Sequence, residues 1–155
     1  MTKVNIYTIT NIRSFNEKSG IIGCLLAMCG TEKTRLHFKN VTATAKQAEL
    51  KALIYALEHM KAPCKLTIYT ESRYLVSGCT EWLSKWKASD WHNAKQQDIS
   101  YKSEWQQLDK LLKPHSVSFR LKENHEYKKW LEMELKSAEK PINTIAEGTF
   151  DEETQ

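Results

Sequence analysis

Lys65-Leu66-Thr67-Ile68-Tyr69-Thr70-Glu71-Ser72-Arg73-Tyr74-Leu75 changes its periodicity halfway along. Leu66 and Ile68 alternate with more polar neighbours up to Thr70, the pattern of a short strand. Ser72 then has the chemistry of a helix cap, and Tyr74, Leu75 and Val76 carry a helix on to Gly78. An acid, Glu71, is thereby set at the end of a strand, just before a helix begins. Upstream, Ala48, Leu50, Leu53, Ile54, Leu57 and Met60 recur at helical spacing. Thr44-Ala45-Lys46-Gln47 before them has the form of a capping box, and Pro63 closes that helix.

The pattern extends outward on both sides. Residues 3–9 alternate as a strand and pass into a polar loop through Gly20. Ile21–Cys29 is a continuous apolar run, read as a central strand, and Thr31–Asn40 alternates after the turn residue Gly30. These three strands predict an antiparallel meander. The β-α-β order predicts that residues 65–70 lie parallel to the first strand through a right-handed crossover. Downstream, Trp82, Trp86 and Trp91 interleave with Lys85, Lys87 and Lys95. Tyr101–Lys113 carries Trp105, Leu108, Leu111 and Leu112 on one helical face, and Pro114 ends it. Ser116–Leu121 alternates as a last strand, and Tyr127–Ala138 is a last helix. The order βββ-α-β-α-α-α-β-α predicts an α/β domain over residues 1–138, with a mixed five-stranded sheet and helices on both faces. Residues 139–155 read as an acidic, disordered tail.

Composition fits this reading. The chain has 155 residues, 41% apolar and 27% charged, the size and balance of one globular domain. The Ile21–Cys29 run is about half the ~20 residues that span a bilayer. Met1–Asn5 has no apolar leader core. Cys24, Cys29, Cys64 and Cys79 have neither CxxC nor zinc-knuckle spacing, so buried reduced thiols and a cytoplasmic location are expected. His37, His59, His92 and His115 lack metal-ligand spacing and are expected to be surface or packing residues. Residues 1–138 carry 22 bases against 14 acids, which favours a polyanionic partner. No P-loop, GxGxxG, GxSxG or HExxH pattern occurs.

With these elements in place, the chain resembles the bacterial-type ribonuclease H family from about Lys3 to Ala138. Gln47-Ala48-Glu49-Leu50 with Ala52, Leu53 and Ala56-Leu57 is similar to that family's first-helix motif. Thr70-Glu71-Ser72-Arg73-Tyr74-Leu75 is similar to its TDSxYV turn, with Glu in place of Asp. Gly78 and the series Trp82, Trp86, Trp91 and Trp105 are similar to its basic handle and the helix that follows.

The resemblance implies a ribonuclease-H-like fold and RNA–DNA hybrid as partner. It also implies four carboxylates clamping two Mg²⁺ or Mn²⁺ ions for endonucleolytic hydrolysis of RNA, since hard dications take oxygen ligands. Glu49 matches the second acid and Glu71 the third. The fourth falls on Glu134 in a gapless reading and on Met133 in a shifted one, and His125 lies near the family's mobile histidine. The first acid falls on Ile9, which offers no ligand. Thr10 belongs to the opposite face of the strand, and Asn11 is a weak neutral substitute. The resemblance extends nucleic-acid contacts to Thr44, Lys46, Arg73, Trp82, Lys85, Trp86, Lys87, Trp91 and Lys95. Thr44 serves equally as a plain helix cap, and the tryptophans equally as core.

Three functions fit the sequence. One is a monomeric hybrid-binding ribonuclease H family protein with hydrolysis weak or lost. Another is an active ribonuclease with altered ligation through Glu49, Glu71 and Glu134. The third keeps the scaffold as a protein-interaction module.

Overall fold

Strand alternation decides the layers of this molecule. A computed structural model describes residues 1–122, 124–139 and 150–154, the last five by their backbone only. β1 (Thr2–Thr10), β2 (Lys18–Met28) and β3 (Thr34–Ala43) form the antiparallel meander, and β4 (Cys64–Thr70) lies parallel to β1. β5 (Ser116–Leu121) is parallel to β4, so these five strands form the expected mixed sheet, in the order β5-β4-β1-β2-β3. In the apolar run of β2, Ile22, Cys24 and Leu26 face one core, and Ile21, Leu25 and Ala27 face the other. A central strand is apolar on both sides because both sides are covered.

One face is covered by α1 (Ala45–Leu57) and α4 (Lys102–Leu112), the other by α5 (Lys128–Ala138). α1 starts as its sequence predicts, since Gln47 N–H donates to Thr44 Oγ1 at 3.2 Å. Only half of the capping box forms, because the Gln47 side chain donates instead to Glu104 on α4 at 2.7 Å. Two short helices follow β4, α2 (Arg73–Ser77) and α3 (Leu83–Ala88), joined by a π-helical turn at Gly78–Trp82.

Two expectations are corrected here. The tail is not wholly without structure, because Phe150–Thr154 forms β6, antiparallel to β3. β3 is otherwise an edge strand whose unpaired backbone groups accept an extended segment, and the register sets Glu153 opposite Arg35. The remainder of that expectation, at 140–149 and 155, lies outside the described residues. Cys29 is exposed, whereas Cys24 and Cys64 are buried and Cys79 half-buried; all four are free thiols. Burial pushes the Cys79 thiol up to about 12, leaving it inert at neutral pH.

Gly78 is fixed by packing. A Cβ there would lie 2.0 Å from the Trp105 ring, which is fully buried and donates to Tyr74 Oη at 3.2 Å. Gly78→Ala is expected to destabilise the protein by about 1–3 kcal/mol through overpacking, read as a lower urea midpoint at an unchanged slope.

Candidate functional site

Parallel pairing carries the ends of β1 and β4 to the same edge of the sheet. The register ends with Tyr7 paired to Tyr69, and just beyond it Ile9 and Glu71 line the same clefts. Two clefts share this edge. Thr8, Ile9, Arg13, Thr70 and Glu71 line both; Glu49 and Ser72 complete the smaller one, and α5 walls the larger, of about 330 Å³. Glu49 and Glu71 thus line one cleft, as the resemblance implies.

Glu49 is held by the helix that follows β4. The Ser72 hydroxyl accepts the Leu75 N–H at 3.0 Å, capping α2, and donates to Glu49 Oε2 at 2.5 Å. Burial raises the Glu49 pKa above its ordinary value, against the opposing effects of the Ser72 hydrogen bond and of Arg13 and Lys46.

At the first acid position the structure offers hydrocarbon. Ile9 packs against the core beneath α5, beside Tyr7, Leu36 and Phe38. Asn11 is not a free donor either. Its Oδ1 accepts the Ile21 N–H at 2.7 Å, and its Nδ2 donates to Glu139 at 3.1 Å.

α5 presents a different acid from the one predicted. Leu131 and Leu135 form its buried stripe, and Lys128, Glu132 and Lys136, spaced four apart beside it, line the cleft. Glu134 lines neither cleft, being two residues and roughly 200° round from Glu132, and Met133 is exposed. Glu132, rather than the expected Glu134 or Met133, is therefore the acid that α5 brings to the cleft, with Glu139 about two turns further along, just past the end of the helix. The i, i+4 spacing of Lys128-Glu132-Lys136 beside Leu131 and Leu135 is the signal that marks this face.

His125 does line the cleft, packed against the Tyr7 ring with centroids 4.5 Å apart. Burial, then Lys128, lowers its pKa, which favours the neutral imidazole. The other histidines sit as packing residues. His115 Nδ1 accepts the Cys64 N–H at 3.0 Å, His37 stacks on His59, and His92 lies 3.5 Å from Asp98.

The residues expected to contact nucleic acid divide into two groups. Thr44 is a helix cap whose hydroxyl also meets Tyr101 Oη at 2.7 Å, and the Lys46 ammonium lies over the Tyr74 ring. Trp82 and Trp86 pack on one another and, through Trp105 and Tyr74, on the core, with Trp91 at its margin. Arg73, Lys85, Lys87 and Lys95 are exposed. Lys87 lies 3.1 Å from Asp109, and Glu71 is paired by Lys128 rather than by Arg73.

Four bases line the larger cleft and were not singled out by the sequence: Arg13, Lys122, Lys128 and Lys136. The Lys128 ammonium lies 3.2 Å from Glu71 Oε1. Among the described residues no three His, Cys, Asp or Glu side chains group to hold a metal ion. With Ile9 in place of an oxygen ligand, Asn11 engaged and Glu71 paired, this donor set does not fit two hard dications.

The sign of the Glu49 shift has a consequence for stability. A carboxyl whose folded pKa is raised contributes stability below its unfolded value, and that contribution is lost as pH rises through the folded value. Glu49→Gln keeps an acceptor for Ser72, so it is expected to raise Tm at pH 7 and to lose that advantage towards pH 4 in paired thermal scans.

The RNase H family profile matches residues 1–131. Ribonuclease H of Hydrogenovibrio crunogenus is 35% identical over 125 residues, covering 81% of this chain and 85% of the relative. Ribonuclease H of Legionella pneumophila (strain Corby) is 37% identical over 123 residues, covering 79% and 85%. Among solved structures, LC9-RNase H1, a type 1 RNase H with the type 2 active-site motif, superposes with a TM-score of 0.76 at 20% identity. That match covers 98% of this chain and 78% of the other. A foamy viral protease-reverse transcriptase in complex with dsDNA gives 0.63 at 17% identity, covering 86% and 90%. These two structures share its fold, and on the evidence of its relatives the chain belongs to the ribonuclease H family.

Proposed function

We propose that this protein binds RNA–DNA hybrid or a related duplex, with metal-dependent endonucleolytic hydrolysis of the RNA weak or lost. The observation that carries this reading is Ile9, whose methyl groups join the α5-side core at the strand end where the family's first acid would stand. An oxygen ligand at that position would help to hold the metal ions that such hydrolysis uses, and its loss would remove several kcal/mol of transition-state stabilisation. Glu49, Glu71 and His125 are read as remnants of the catalytic set. The corrected α5 acid, Glu132, lies on the same wall as the two lysines of its stripe. Support for binding comes from family membership and from the basic body of the chain. A foamy viral protease-reverse transcriptase, which shares the fold, is known in complex with RNA/DNA hybrid. The reading takes the protein as a cytoplasmic monomer. Among the described residues no helix is long and apolar enough to cross a membrane.

The test is fluorescence anisotropy of a labelled hybrid, titrated at rising salt. Binding is expected at low salt and to weaken by about 0.9 log units per phosphate contact for each tenfold rise in salt. Absence of binding at low salt would sink the proposal. Cleavage of the same hybrid by the parent in Mg²⁺ or Mn²⁺ would overturn the statement about hydrolysis.

The exposed lysines give a finer prediction. Lys85→Ala and Lys95→Ala are each expected to reduce the salt slope by about 1. Lys87→Ala is expected to change it less, since its ammonium already has Asp109 as a partner.

A further inference from the structure

The cleft contains its own positive charge. Arg13 faces it from the loop after β1, Lys122 from the end of β5, and Lys128 and Lys136 from one stripe of α5. Across the two connected clefts the described residues place four bases beside four carboxylates, Glu49, Glu71, Glu132 and Glu139. Two dications would bring four positive charges to such a set, and the four bases already bring as many. Lys122 is held in position by its backbone, which donates to Thr70 O at 3.0 Å. Lys128 is on the first turn of a helix whose Leu131 and Leu135 are buried, and it reaches Glu71.

The geometry points to Arg13, Lys122, Lys128 and Lys136 as resident counter-charges, so that the cleft receives a phosphodiester without binding a divalent ion. This rests on the reading that nucleic acid enters the cleft. The ammonium of Lys128 has three donors, so it can keep Glu71 on one side and take a phosphate oxygen on the other. Phosphate approaching Glu71 or Glu132 without such partners would meet like charge. The bases therefore do by fixed charge what the missing ligand at Ile9 prevents an ion from doing.

Two measurements test this, the first without nucleic acid. Mn²⁺ titrated into the parent protein, followed by the free-ion EPR signal, is expected to show no saturable depletion up to about 5 mM. Saturable depletion within that range would overturn the inference. In the second, hybrid affinity is measured in EDTA and in Mg²⁺ at matched ionic strength. The parent is expected to bind equally, within about threefold, and a larger loss in EDTA would overturn the inference. Lys128→Ala is expected to bind more weakly in EDTA, by about three- to tenfold, with a salt slope lower by about 1. An unchanged affinity in that variant would remove Lys128 from the role. Should no hybrid bind in either condition, the proposed function fails on its own, and the Mn²⁺ titration still decides whether the cleft takes a dication.

Discussion

The parallel pairing of β1 with β4 is the constraint on which the functional edge depends. Parallel strands bring like ends together, so the residues leaving β1 and those leaving β4 must share one edge of the sheet. α1, which belongs to the crossover between them, then lies over the same edge and delivers Glu49 to it. Nothing in the chemistry of Glu49 or Glu71 draws two carboxylates together. Their proximity is imposed by backbone hydrogen bonding and by the apolar core beneath, from Val4, Ile6, Leu66 and Ile68 to Leu50 and Leu53.

Ser72 converts that placement into a fixed geometry. One hydroxyl caps α2, binds Glu49, and belongs to a residue whose own N–H donates to Thr70 Oγ1 at 3.1 Å. Strand end, helix start and the carboxylate of another helix are coupled through three adjacent hydrogen bonds. The arrangement costs Glu49 part of its hydration, which is the physical origin of its raised pKa. A carboxylate held this firmly is pre-organised, but its neighbours are Arg13, Ile9 and a paired Glu71 rather than a set of free oxygens.

The cleft therefore sets bases and carboxylates side by side. Isoleucine at position 9 does not leave a gap; it extends the core beneath α5 to the end of β1. Bases from three separate elements converge where oxygen ligands are sparse. Trp82 and Trp86 of the α3 region pack on Tyr74 and Trp105, while Lys85, Lys87 and Lys95 are exposed, Lys87 paired with Asp109.

Through its family resemblance the sequence pointed to Glu49, Glu71 and Ile9, and by itself it determined the order of the elements up to α5, the parallel crossover and both helix caps. Those features are local or periodic: a cap is read within three residues, a strand within six, and a parallel crossover follows from handedness. The tertiary structure alone decided which acid of α5 meets the cleft. Positions 132 and 134 hold the same residue type, and the burial of Leu131 and Leu135 sets the rotation of that helix. It alone decided the convergence of Arg13, Lys122, Lys128 and Lys136, residues far apart in the chain and unremarkable in their local context. The pairing of Phe150–Thr154 with β3 was invisible for the same reason, since an edge strand accepts a partner through backbone groups that carry no sequence signature.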